Sequence, residues 1–194
     1  MLLKPRQFYA PIDAAALNQY KVFAKLGFYG VNLASHSGSA AFLRQSMNIL
    51  HHPATSLFIT PEGRFSDSRD HSAGLMPGLA HLCTKLQTGV VLPMALEFVF
   101  WEERLPECLV RFGEPHQIEQ HPHITKPEWT AMLDRGLRQT QAALAKDSIA
   151  RDSNAFLPVL YGRAGAGGIY ESMRRFRSLV RGETFRPEHG DKLR

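Results

Sequence analysis

The sequence predicts an α/β protein: a mostly parallel central sheet flanked by helices, followed by a C-terminal basic amphipathic helix. Three observations carry this. Strand-like and helix-like stretches alternate through roughly the first hundred residues, as crossover-linked parallel strands do. The run Val90–Leu96 is almost continuously apolar and reads as a central strand buried on both faces, with Pro93 marking an edge or a break in pairing. The apolar stretch Thr55–Thr60 ends abruptly in Pro61-Glu62-Gly63-Arg64. That is a strand running into a sharp turn, because proline fixes its own φ and glycine permits backbone that a side chain forbids.

Composition sets the frame. The 194 residues suit one domain with an appendage, and 44% apolar with 21% charged content is that of a chain with a normal core. No apolar run is as long as a membrane span, and Met1–Arg6 lacks the apolar core of a signal peptide. The two cysteines, Cys83 and Cys108, stand in apolar surroundings and read as buried thiols, which suits a cytoplasmic protein. The net charge of +5 favours an anionic partner: nucleic acid, anionic lipid, coenzyme A or an acidic carrier protein.

In chain order, Gln7–Ala10 reads as a short strand ended by Pro11. Asp13 is placed to cap a helix over about 14–26, which Gly27 closes. Phe28–Leu33 is the next strand. A helix starting at Ser37-Gly38-Ser39 runs to Leu50, with Phe42, Leu43, Met47 and Leu50 on its apolar face, and Pro53 stops it. Residues 66–74 are polar and aperiodic, a loop beside the turn that contains Arg69, Asp70 and His71. Pro77 opens a helix to about Leu86. Beyond Val90–Leu96, the segments Phe98–Trp101 and Cys108–Phe112 form two arms of a hairpin. Residues 114–126 are a loop with histidines and prolines, and 127–146 an amphipathic helix carrying Trp129, Leu137 and Leu144. The domain organisation is therefore 1–147 as the α/β domain, 148–168 as a Gly-rich linker region, and 169–194 as a basic amphipathic helix and tail. In the last, Ile169, Tyr170, Met173, Phe176, Leu179 and Val180 form an apolar stripe among Arg174, Arg175, Arg177 and Arg181.

The turn is the candidate site. Ligands of open α/β sheets bind at the carboxyl ends of strands, and arginine suits bidentate grip on phosphate or carboxylate. From the residues alone, a surface turn with a local salt bridge is the competing reading. Several other chemistries find no support. There is no GxxxxGK[ST] or GxSxG segment, and Gly162–Gly168 fails GxGxxG because Tyr170 stands at the third glycine. His121-Pro122-His123 lacks the cysteine or acidic company of a metal site, so no metal ligand is assigned. His51-His52 ends a helix, where a dipole contact accounts for it. The basic segment has no nucleic-acid motif, so nucleic acid is not an expected partner.

Phe58-Ile59-Thr60-Pro61-Glu62-Gly63-Arg64 resembles the FPEGTR-type block of the phospholipid/glycerol acyltransferase family, which includes the 1-acylglycerol-3-phosphate acyltransferases. Val91–Leu96 is similar to that family's fourth block, a strand with a central proline. Lys25–Val31 with the helix at Ala40–Leu43 is similar to the region around the second. The resemblance covers about residues 8–115. It implies a glycerolipid-acyltransferase-like fold. The implied activity is transfer of a fatty acyl group from acyl-CoA or acyl-carrier protein to the hydroxyl of a lysophospholipid or other glycerolipid. The thioester would be a co-substrate, with no further cofactor. It also implies that Thr60, Glu62, Gly63 and Arg64 bind the acceptor, with Arg64 on its phosphate. The protein would lie on the cytoplasmic, inner face of a membrane as a peripheral protein. Read from its own residues, the basic segment either packs its apolar face on the core with the arginines in water or lies with residues 169–181 against an anionic membrane surface. An alternative is a non-catalytic, membrane-peripheral lipid-binding protein using the same pocket.

Two departures qualify the likeness. Where the second block ends in arginine, this chain has Asn32-Leu33-Ala34-Ser35-His36, which implies a weaker phosphate grip or a different head group. The family's catalytic pair is HX4D, a histidine base oriented by an aspartate. None of the nine histidines here has an aspartate five residues later; His123 with Glu128 comes nearest and lies after the fourth block. No catalytic residue is assigned. The resemblance places Met1 inside the domain, and the expectation is an N-terminally truncated chain rather than a short member without the base.

Overall fold

The computed structural model describes residues 6–32, 35–64, 67, 69–101 and 105–160. The linker from residue 161 and the basic segment 169–194 lie outside the described residues. The described residues form two compact units, one from those within 6–92 and 114–136, the other from those within 93–113 and 137–160.

The first unit holds the parallel sheet, and its mixed α/β character matches the alternation in the sequence. β1 (Gln7–Asp13) lies between β2 (Phe28–Val31) and β3 (Thr55–Leu57), both parallel to it. Parallel neighbours need crossovers, which the helices supply. Asp13 caps the first as its spacing predicts, accepting from the Ala15 amide at 2.7 Å. The expected single helix is two, α1 (Ala14–Gln19) and α2 (Val22–Lys25), because Tyr20 leaves helical dihedrals. The rings of Tyr20, Phe23 and Phe28 then pack in series, with centroids 5.9 and 5.3 Å apart.

β1 does not end at Pro11. The Ala10 amide faces β2, donating to the Gly27 carbonyl, and Tyr9 faces β3, accepting from the Phe58 amide at 2.8 Å. By alternation the donor that Pro11 lacks would face β3, whose ladder ends at Leu57. The proline therefore sits where β3 leaves the sheet, and no ladder bond is lost. Between β2 and β3, α3 (His36–Leu50) begins at Ser35, whose hydroxyl accepts from the Gly38 amide at 3.0 Å. At its other end the Thr55 hydroxyl donates to the Ile49 and His52 carbonyls, 2.7 Å each, satisfying groups that a helix end leaves open. Tyr29, Val31 and Phe42 form the core between sheet and helix. The Tyr29 hydroxyl is bonded to the fully buried Ser46 hydroxyl at 2.8 Å.

α4 (Pro77–Lys85) follows the polar loop, with proline in its first turn. The expected central strand Val90–Leu96 is not one strand. β4 (Val90–Val91) and β5 (Met94–Val99) flank Leu92-Pro93 and pair antiparallel with different partners, β7 (His116–Gln117) and β6 (Glu107–Phe112) respectively. Val90, Leu92 and Leu96 are about half exposed, so burial on both faces is not observed either. Pro93 has no donor to continue a ladder, and its carbonyl instead accepts from the Gly113 amide at 2.9 Å. Among the described residues, parallel pairing is confined to β1, β2 and β3.

α5 (Lys126–Ala150) starts on a capping box: the Glu128 carboxylate accepts from the Thr125 amide and hydroxyl, at 2.6 and 2.7 Å. Its Trp129 and Leu133 complete a core with Ala80, Cys83 and Ile118. Its Leu144 packs in the second unit with Ala95 and Leu109. Cys83 is buried as expected. Cys108 is exposed, because it alternates with Leu109 on β6 and only Leu109 faces α5. No helix among the described residues is long and apolar enough to cross a membrane.

Candidate functional site

The turn after β3 forms at the carboxyl end of the parallel sheet. The Gly63 amide donates to the Thr60 carbonyl at 3.2 Å, closing four residues, and Gly63 has φ +64°. L side chains rarely adopt that backbone, so glycine here has a conformational cause. The space requires it too, since a Cβ at Gly63 would fall 2.1 Å from Met76 Sδ. Met76 is at that place because its amide donates to the Pro61 carbonyl at 2.7 Å. The chain thus leaves through the turn and returns to it at Met76, enclosing a polar loop.

Arg64 is turned into that loop. Its Nη2 donates to Asp70 Oδ2 at 3.0 Å and to the Ser72 hydroxyl at 3.3 Å. Both members of the ion pair are about two-fifths exposed. Asp70 also accepts from the Ser72 amide at 2.9 Å. The Ser72 hydrogen bonds, and then the Arg64 charge, hold the Asp70 carboxyl down at about 2. Nearby, Asp67 takes the Arg69 amide and guanidinium, each at 2.9 Å, which lowers its own pKa.

Of the four residues expected to bind an acceptor, Thr60 and Gly63 define the turn, and Arg64 presents its guanidinium beside it. Glu62 is half-buried. The structure brings in Asp70 and Ser72, which belong to the polar loop predicted beside the turn but have no periodic signal tying them to Arg64. Both contacts of Arg64 among the described residues run through Nη2. The side chain is about two-fifths exposed, so an anion from solvent can be met by a guanidinium already held in place.

His121 sets its ring edgewise on Trp129, centroids 5.5 Å apart. His116 has a buried Nε2 without a hydrogen-bond partner, and burial, then His121, lowers its pKa. Among the described residues no group of three or more His, Cys, Asp or Glu is placed to hold a metal ion. His123 and Glu128 do not act as a base and its orienter, because the Glu128 carboxylate is taken up by the Thr125 cap. Comparison of the chain with protein-family models, with curated proteins and with solved structures returned no match.

Proposed function

We propose that the turn Thr60–Arg64 binds the phosphate of a lysophospholipid, as the acceptor-binding part of a glycerolipid-acyltransferase-like protein. The observation that supports this is the Arg64 guanidinium, held by Asp70 and Ser72 through one nitrogen at the carboxyl end of a parallel sheet. The sequence likeness to the FPEGTR-type block points to the same residues. In the reaction of that reading, the acceptor hydroxyl attacks the carbonyl of an acyl-CoA or acyl-carrier-protein thioester. A base takes the hydroxyl proton, the carbonyl–sulfur bond breaks, and the departing thiolate receives that proton to leave as the thiol. The sequence has no HX4D pair to supply that base. The role assigned to these residues is therefore binding of the acceptor.

The test is a titration of the full chain with monomeric 1-acylglycerol 3-phosphate and, separately, with monoacylglycerol. Arg64→Ala should weaken the phosphate-bearing lipid about tenfold, the value of one charge-assisted contact at a half-exposed site. It should leave the neutral lipid unchanged. Equal affinity of Arg64→Ala and the parent for the phosphate lipid would remove Arg64 from the site. The missing histidine–aspartate pair favours a second reading, a non-catalytic lipid-binding protein on the membrane surface through residues 169–181. Thioester-dependent acylation by the full chain would exclude it, and lipid binding without acylation would support it.

A further inference from the structure

The face of the parallel sheet turned away from α3 carries a string of aromatic rings. Tyr29 and Val31 pack with Phe42 of α3, and Tyr9, Leu57 and Ile59 join them. By alternation Phe8, Phe28 and Phe58 stand on the opposite face. α1 lies there, with Ala14 and Leu17 against Gly30. The rings of Tyr20, Phe23 and Phe28 follow one another across it. Phe8 and Phe58 meet with centroids 5.7 Å apart. Gly27 joins the two groups, since a Cβ there would fall 2.1 Å from the Phe8 carbonyl oxygen.

The outer side of this string is in water. Tyr20, Val22 and Leu26 are 51%, 58% and 62% exposed, and Phe8 and Phe58 about half. At about 150–250 Å² for a whole aromatic side chain and somewhat less for an aliphatic one, the five leave on the order of 500 Å² of apolar surface. A patch of that size marks a contact with protein or lipid. The charges say which. Lys21 and Lys25 are exposed among Tyr20, Val22 and Leu26. From Ala14 through Pro61 the chain has no aspartate or glutamate. A second copy laid face to face would set lysine near lysine, with no carboxylate of that segment to pair them. Nucleic-acid bases stack on rings but not on Val22 and Leu26. An anionic bilayer takes all three kinds of side chain: aliphatic groups among acyl chains, rings at the headgroup level and ammonium groups at the lipid phosphates.

We infer that this face, Tyr20–Leu26 with Phe8 and Phe58, docks the protein on an anionic lipid surface. The contact is separate from the segment 169–181 and does not rest on the role given to Arg64. The lysines make its affinity depend on lipid charge and salt, and the apolar side chains insert. Phe58 leads through Ile59 into the turn at Thr60, so a bilayer on this face lies beside the candidate site.

The experiment uses the full chain with vesicles of mixed phosphatidylglycerol and phosphatidylcholine. Val22→Cys in a Cys108→Ser background carries a polarity-sensitive dye; Cys83 is buried with its thiol pushed up to about 12, so it does not take the label. On adding vesicles the dye should shift to the blue and be quenched by brominated lipid. The same dye on Ala40→Cys, exposed on α3 across the sheet, should show neither. No change at position 22, or an equal change at position 40, would overturn the proposal. Each lysine near an anionic surface is worth about fivefold in affinity, so Lys21→Gln with Lys25→Gln should weaken vesicle binding about 25-fold at low salt. Circular dichroism should be unchanged, since both side chains are exposed. Unchanged affinity would overturn the proposal and leave vesicle binding to the segment 169–181. Binding of single-stranded RNA that is lost in the same variant, with no blue shift on vesicles, would also overturn it and assign the face to nucleic acid.

Discussion

Replacing Gly63 separates the two reasons for glycine at the turn. Gly63→Ala and Gly63→Asn both add a Cβ, and both meet Met76 Sδ, 2.1 Å from the ideal Cβ position. They differ in backbone tolerance, because asparagine enters the left-handed region far more readily than alanine. For alanine, φ +64° costs about 1–2 kcal/mol. Met76 is 39% exposed and is met at the far part of a flexible side chain, so it can move aside. A displaced rotamer adds about 0.5–1 kcal/mol. The expected loss for Gly63→Ala is then roughly 2 kcal/mol, a large part of the stability of a small unit. Gly63→Asn should lose about half as much. Urea unfolding followed by Trp129 fluorescence in a Trp101→Phe background reads the first unit, since Trp129 lies in its core. Equal losses for the two variants would refute the backbone argument and leave the Met76 contact as the cause. Full recovery of Gly63→Ala by Met76→Ala would do the same.

Three further outcomes follow from named contacts. Ser46→Ala should cost about 1–3 kcal/mol by leaving the Tyr29 hydroxyl buried without its partner. Adding Tyr29→Phe should recover most of that in urea unfolding, and no recovery would mean that the hydroxyl pair is not the cause. Burial holds the Cys83 thiol near 12 against an ordinary 9.0, and raises Tyr29 above 10.0. Both neutral forms are favoured by the fold, so their stabilisation is whole below the unfolded values and is lost as pH rises from about 9 toward 12. Thermal melts should fall over that window, and Cys83→Ala should flatten the fall; an unchanged slope would exclude the thiol. Asp70→Asn should strengthen binding of inorganic phosphate by a few-fold, because it removes a like charge beside the anion. Weaker binding would show that Asp70 acts chiefly by positioning Arg64.

The sequence carries the parallel half of the fold clearly, and particular residues say why. Asp13 before an apolar periodic stretch is a helix start, and it caps α1. Thr125-x-x-Glu128 is a capping box that the reading of a helix from 127 passes over, and it starts α5 at Lys126. The antiparallel half is read less well because apolar runs do not state their pairing. Val90–Leu96 has the composition of one buried strand, and only Pro93 betrays the break between two ladders. The exposure of Cys108 is hidden because alternation points the wrong way: Cys108 shares an uncharged face with Leu96, Phe98, Val110 and Phe112, while Glu97, Glu107 and Arg111 lie on the face whose Ala95 and Leu109 pack on α5.

At the turn, the glycine, proline and arginine are legible, but what holds them is not. The meeting of Gly63 with Met76 depends on how an aperiodic loop returns to the Pro61 carbonyl. The Arg64–Asp70 pair unites the two readings the sequence leaves apart, since it is a local salt bridge and also a fixed guanidinium. An exposed ion pair contributes little to stability, so its plainest consequence is geometric. Holding Nη2 removes side-chain freedom that an arginine would otherwise lose on meeting an anion. The same Asp70 charge repels that anion, and a pKa held at about 2 keeps it charged in mildly acid as well as neutral solution. Preorganisation and repulsion thus come from one carboxylate. Asp70→Asn keeps the oxygen that accepts from Arg64 while removing the charge, so the sign of its effect on phosphate affinity says which of the two governs the turn.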